Sequence, residues 1–150
     1  MSVVLRWMDA EQRGDLDTAA AQFADSAVFI SNKVTGNCSQ QTPCTDSAGI
    51  RQQTQGNIAE HICSTFLTLQ VSGAVVTGKR EIRSDSRRAN GVERTLQSFM
   101  AVVPQDKITF FVGALDLADP QSVLNGAINA GTQPAGTPLP NPTTPCAGLS

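Results

Sequence analysis

The spacing of apolar residues changes once along this chain, near residue 67, from helical intervals to alternation. Val3, Val4, Trp7 and Met8 share one face of a helix predicted over about residues 2–13. Gly14 stops it, and Asp15 caps a second helix that carries Leu16, Ala19, Ala20 and Phe23 on one side. Asp25-Ser26 turns into a short strand over 27–31. A polar loop with Gly36 and Pro43 follows. Thr45 or Asp46 then caps a long third helix, with Ile50, Thr54, Ile58, Ile62 and Phe66 recurring along its buried face.

Beyond it the pattern is that of strands. Leu69, Val71, Ala74, Val75 and Val76 form one region, broken at Gly73. Asn90-Gly91 is a strong hairpin signal, so strands over 80–89 and 92–103 should pair across it. Pro104-Gln105-Asp106-Lys107 turns the chain into a last strand over 108–117. The expected fold is α+β: three helices packed into a curved, mainly antiparallel sheet around an interior pocket. Residues 1–118 make this domain. Residues 119–150 read as a Pro/Gly/Thr-rich tail, holding six of the chain's eight prolines and at most a short helix over 121–128. The tail holds few large apolar groups, so it should add little to the core.

The turns imply a register. Pairing across Asn90-Gly91 sets Arg83 opposite Ser98, Asp85 opposite Leu96 and Glu81 opposite Met100. A turn at Gln105-Asp106 sets Ser98 opposite Gly113 and Met100 opposite Phe111. One face then carries Arg83, Asp85, Ser98, Met100, Phe111 and Gly113, an apolar floor with few polar groups, as small-molecule pockets have. Arg83 and Asp85 would be a pair held in the interior, where unpaired charges are costly. The alternative is an ordinary surface pair on a solvated face. The opposite face is apolar enough to join two copies as a homodimer.

Composition narrows the function. The chain has 150 residues, 40% hydrophobic and 16% charged, with a net charge of -2. That suits one domain with a full core and gives no basic surface for nucleic acid. No apolar run reaches the length of a membrane span, and no leader pattern is visible at the N-terminus, so the expected location is cytoplasmic. The spacing of Cys38, Cys44, Cys63, Cys146 and His61 does not suit a metal site. The cysteines are expected mainly as reduced thiols, with Cys38 and Cys44 able to bridge.

The segment from Gly14 to Phe29, Gly-Asp-Leu-Asp-Thr-Ala-Ala-Ala-Gln-Phe-Ala-Asp-Ser-Ala-Val-Phe, resembles the opening of nuclear-transport-factor-2-like proteins of the SnoaL-like type. Lys107-Ile108-Thr109-Phe110 resembles their final strand. The resemblance covers about residues 2–118 and implies a cone-shaped fold. The superfamily includes ketosteroid isomerases, limonene-epoxide hydrolases, polyketide cyclases and many non-enzymes. The isomerase base position falls at Ser31 or Asn32, and the chain contains no Tyr. Arg83-Ser84-Asp85 is similar to the Arg-x-Asp of the epoxide hydrolases, whose second Asp, Tyr and Asn align with Gly113, Phe29 and Ser31. A cyclase-like acid/base role would fall to Asp85. The resemblance thus implies a cofactor-independent hydrolase, isomerase or lyase acting on a hydrophobic cyclic molecule. Asp85 and Arg83 would be catalytic, and Ser98, Asn32, Phe29, Met100, Phe111, Gly113 and Trp7 would surround the substrate. The alternative is a non-catalytic module of the same fold that binds a small ligand or dimerises.

Overall fold

Five helices and a five-stranded sheet are seen in a computed structural model, which describes residues 2–140. Ser2 caps α1 (Val3–Gln12), accepting a hydrogen bond from the Leu5 N–H, and Val3, Val4, Trp7 and Met8 are buried as their spacing predicts. Gly14 closes the helix with a left-handed φ of 79°, a conformation in which a Cβ is strained. Asp15 at once caps α2 (Leu16–Ala20) through the Thr18 N–H. Strand β1 (Phe23–Ile30) is longer than expected. Asp46 caps α3 (Ser47–Ala59).

The third helix ends earlier than its pattern suggests. His61 takes a positive φ of 50°, and the Ile62 N–H bonds back to the Asn57 carbonyl, closing the helix. Cys63 therefore lies in strand β2 (Cys63–Ser72) and not in a helix. The reason is geometric. Residues four apart share a face in a helix and in a strand alike, so the run from Ile50 to Phe66 fits both.

Strand β3 (Val75–Arg83) is followed by a short helix, α4 (Asp85–Ala89), and then by β4 (Thr95–Val102) and β5 (Ile108–Leu115). The sheet order is β1-β5-β4-β3-β2, parallel only between β1 and β5. It is an open, curved, mainly antiparallel sheet against which α1 and α3 pack, with α2 resting on those two helices. The expected hairpin at Asn90-Gly91 is absent. Ser84 caps α4 instead, and Gly91, at φ 78°, ends it while the Val92 N–H reaches back to the Arg87 carbonyl. An Asn-Gly pair supplies the left-handed residue that a tight hairpin and a helix C-terminus both need.

The pairing register changes accordingly. Glu81 faces Leu96, and Thr77 faces Met100. Between β4 and β5, Phe99 faces Gly113 and Ala101 faces Phe111, one residue away from the expected pairing. A single-residue slip exchanges the faces of a strand. On β5 the inward residues are those expected, with Phe111 and Gly113 buried. On β4 the inward set is Thr95, Gln97, Phe99 and Ala101. On β3 it is Val76, Gly78, Arg80 and Ile82.

The core centres on Trp7, which meets Phe23, Phe29 and Phe111 edge-on at ring distances of 5.1, 5.6 and 4.9 Å. Phe29 and Phe111 stack at 4.9 Å. Such aromatic contacts hold the helices to the concave side of the sheet. The chain beyond residue 118 is more than surface tail. Asp119 caps α5 (Pro120–Asn129), and Ser122 and Asn125 are buried against the sheet. From there the chain crosses α4, where the Gly136 N–H bonds the Asn90 carbonyl at 2.9 Å and the Leu139 N–H bonds the Arg88 carbonyl at 2.8 Å. The expectations for residues 141–150 lie outside the described residues.

Candidate functional site

A cavity of about 630 Å³ opens between the sheet, α3, α4, α5 and the loop after β1. Phe29, Phe111, Ile62, Ile82 and Leu115 supply its apolar walls. Asn32, Lys33 and Val34 come from the loop, Gln53, Asn57 and Glu60 from α3 and its end, Arg87 from α4, and Asn125 and Asn129 from α5. The loop is held in shape by a Cys38–Cys44 disulfide and by bridge hydrogen bonds between Phe29 and Cys44. Cys63 is disulfide-bonded as well, and none of the described cysteines is a free thiol. The expectation of mainly reduced cysteines is thus overturned.

Arg80 is the central polar group. It is 4% exposed and points inward from β3 among Val76, Ile82 and Phe66. A buried charge survives only with partners. Arg80 Nε donates to Gln97 Oε1 at 2.8 Å, and Nη1 donates to Ser64 Oγ at 2.9 Å. The guanidinium also lies over Trp7, 5.9 Å from the ring centre. Gly113 makes this arrangement possible: a Cβ there would come within 2.5 Å of the Gln97 amide. The room at Gly113 is filled by Gln97.

Beneath the cavity floor lies Glu11, 2% exposed, on the face of α1 that also carries Trp7 and Met8. Its Oε2 accepts a hydrogen bond from Asn57 Nδ2 at 3.2 Å. Burial pushes its carboxyl up to about 7, while the Arg80 charge and the Asn57 hydrogen bond oppose the rise. The Trp7 indole N–H lies close enough to favour the carboxylate, yet makes no hydrogen bond of good geometry. Burial brings Arg80 down to about 10, with Glu11 opposing and Arg87 adding repulsion, so Arg80 stays cationic at neutral pH. Arg87 is also brought down to about 10 by burial, with Glu60 opposing. Its Nε donates to Thr95 Oγ1 at 2.8 Å and its Nη1 to Ser84 Oγ at 2.9 Å. Lys33 is exposed as a whole, but lost hydration still holds its amine below the ordinary lysine value, with Glu60 opposing.

The sequence-predicted residues divide. Phe29, Asn32 and Phe111 line the cavity. Trp7 is buried beneath it in the core. Ser98 and Met100 lie on the outer face of the sheet, because β4 is turned by the one-residue slip. Arg83 also faces outward and pairs with Glu81 at 2.6 Å. Asp85 is the first residue of α4, with its Oδ2 2.6 Å from His61 Nδ1. The interior Arg–Asp pair is therefore not formed. Sequence reasoning missed Arg80, Gln97, Arg87, Glu11 and Asn125. A signal existed for two of them: Arg80 alternates with Val76 and Ile82, and Glu11 follows Trp7 and Met8 at helical spacing. Among the described residues, no three His, Cys, Asp or Glu side chains converge on a point that would hold a metal.

The sequence matches no family model and no curated protein. Its structure resembles many solved ones. IdmH from Streptomyces antibioticus, a proposed polyketide cyclase, is 19% identical, with a TM-score of 0.64 over 83% of this chain and 96% of that one. An LEH-like epoxide hydrolase of M. tuberculosis is 15% identical, with a TM-score of 0.62 over 86% and 92%. An NTF2-like protein of unknown function from Cytophaga hutchinsonii is 11% identical, with a TM-score of 0.59 over 76% and 87%. The fold is thus the α+β cone of NTF2-like proteins. Among the described residues, no helix is long and apolar enough to cross a membrane.

Proposed function

We propose that this protein binds a small, mainly apolar cyclic molecule in the cavity above Phe29 and Phe111. The observation that carries the reading is the cavity itself: about 630 Å³, with apolar walls at Phe29, Phe111, Ile62, Ile82 and Leu115 and many polar groups around them, among them a buried Arg80. Pre-formed sites for drug-sized ligands have this size. The solved structures of similar fold include an epoxide hydrolase, a protein with a ketosteroid isomerase-like fold bound to trimethylamine and polyketide cyclase-like proteins, which supports a small-molecule role. Calorimetric titration with a panel of one- and two-ring compounds tests it. Gly126 lines the cavity, and its nearest neighbour for an added Cβ is the Leu115 side chain. Gly126→Phe should fill the space and abolish binding. Binding that survives this substitution would place the ligand elsewhere.

A second reading is catalytic, and Lys33 favours it. Lost hydration holds this cavity-wall amine below its ordinary value, so it gives up its proton more readily than a free lysine. Lys33 would take a proton from a carbon next to a carbonyl, Arg80 would stabilise the resulting enolate oxygen, and the proton would return to another carbon. No cofactor takes part in that isomerisation. Asp85 has no place in it, since its carboxylate faces His61 outside the cavity. Turnover of a cyclic enone that is lost in Lys33→Met and kept in Asp85→Asn supports this reading; loss in Asp85→Asn alone defeats it.

The outer face of the sheet exposes Val75 and Met100, so a homodimer joined there remains part of the proposal. Its test is the mass in solution of wild type against Met100→Lys. Disulfides persist in oxidising compartments. The bridged cysteines therefore favour an oxidising location over the cytoplasm expected from sequence.

A further inference from the structure

Two cations meet at the cavity wall, and neither makes a direct ion pair, although Glu11 acts on Arg80 and Glu60 on Arg87 from further away. Among the described residues, Arg80 and Arg87 take part in no ion pair. Each spends Nε and Nη1 on neutral oxygens: Gln97 and Ser64 for Arg80, Thr95 and Ser84 for Arg87. These bonds fix both guanidinium planes and leave each Nη2 without a hydrogen-bond partner among the described residues. The two are close enough to repel each other. Among the described residues Glu60 is the single acidic residue of the cavity wall; it acts on Lys33 and Arg87, and its carboxylate already accepts from Ser86 Oγ at 2.8 Å.

A second observation is independent of charge. Asn125 reaches the cavity from α5, is 4% exposed, and its Oδ1 is buried with no hydrogen-bond partner. A buried polar atom without a partner is costly, by about 1–3 kcal/mol, and calls for an explanation. Oδ1 is closed off, so a ligand hydroxyl would supply the missing donor with a turn of the Asn125 side chain toward the cavity.

We infer that the cavity ligand is a cyclic carboxylic acid, its carboxylate held by Arg80 and Arg87 and a ring hydroxyl donating to Asn125. The inference rests on the proposed binding function and names the chemistry of that same site. Two guanidinium groups with fixed planes suit the two oxygens of a carboxylate, and charge-assisted bonds of this kind are about twice as strong as neutral ones. The apolar walls at Phe29, Phe111 and Ile62 take the ring. A neutral ring compound would leave the repulsion between the two cations in place, which an anion relieves.

The test is isothermal calorimetry with 2-naphthoate, 2-naphthamide and 6-hydroxy-2-naphthoate, together with the matching cyclohexane carboxylate and carboxamide. Wild type should bind each acid at least about ten-fold more tightly than its amide, and the hydroxy acid more tightly than the plain acid. Arg87→Gln should remove most of the acid preference and leave amide affinity within about two-fold. Arg80→Gln should do the same, and Arg87, less buried, is the variant to rely on if Arg80→Gln does not fold. Asn125→Leu should cancel the gain from the hydroxyl alone. Equal affinity of acid and amide in wild type overturns the anion site while the proposed binding function stands. An unchanged acid preference in Arg87→Gln also overturns it. If neither series binds, the binding function fails and the anion site with it.

Discussion

Glu11 Oε2 accepts a hydrogen bond from Asn57 Nδ2 at 3.2 Å, tying α1 to α3 directly beneath the cavity. Because the carboxyl is buried and held at about 7 against an ordinary 4.5, it carries a pH-dependent share of stability. The sign follows from linkage. The unfolded chain releases this proton first, so the contribution is full below 4.5 and is lost as pH rises through about 7. The gap corresponds to about 3 kcal/mol. Glu11→Gln should remove it: denaturant unfolding of the variant should show little loss between pH 5 and pH 8.5, where wild type weakens. An equal loss in both would assign the effect to other groups.

Arg83 and Asp85 provide the opposite expectation. Their partners, Glu81 and His61, lie outside the cavity, and the His61 side chain is 78% exposed. Exposed ion pairs are worth about 0–1 kcal/mol. Arg83→Gln and Asp85→Asn should each change stability by less than about 1 kcal/mol and leave ligand affinity unchanged. A large loss of affinity in either, measured by calorimetry, would return the site to the outer residues.

The Cys38–Cys44 bridge closes a short loop over 38–44, whose Gln40 and Gln41 N–H groups bond the carbonyls of Lys33 and Val34 at the cavity. Chain entropy for a loop of this length gives about 2 kcal/mol of stabilisation. The double substitution Cys38→Ser with Cys44→Ser should lower unfolding free energy by that order and weaken ligand binding. Unchanged affinity would show that the loop is positioned without the bridge.

Ser122 joins α5 to the sheet. Its Oγ donates to Asp119 Oδ2 at 2.6 Å and accepts from the Leu96 N–H at 2.7 Å. Burial raises the Asp119 carboxyl, but hydrogen bonds from Ser122 and Arg94 outweigh it and hold the group below the ordinary value. Ser122→Ala should cost about 1–3 kcal/mol, since two buried partners lose their bond. Ending the chain after Ala118 should cost more than that and open the cavity, which Asn125 and Asn129 line. A truncated chain as stable as the full one would show that α5 is dispensable.

Local signals were legible in the chain because their physics is local. Gly14 and Asp15 stop one helix and start the next within two residues, and only neighbouring backbone groups take part. The apolar stripe of α1, the strand character after residue 67 and the cone-like order of elements were open to the same reading. The helix at α5 was visible as a short segment, but its docking was not, because Ser122 and Asn125 are polar and their burial depends on Leu96 and the cavity.

What only the tertiary structure decided was parity and register. Asn90-Gly91 satisfies a hairpin and a helix end equally well, and Ser84 and Val92, at the two ends of α4, settle the choice. The connection between β4 and β5 spans 103–107, with Asp106 at a positive φ of 60°, and that length turns Gln97 inward where a two-residue turn would have turned Ser98 inward. Periodicity in a strand assigns residues to two sides without naming the inner one. The sequence by itself determined most of the helices and strands, but not the end of α3 or the helix α4. The side that carries the chemistry was decided by packing: Gln97 lies in the space left by Gly113, Arg80 lies over Trp7, and those partners are brought together only when the sheet closes on the helices.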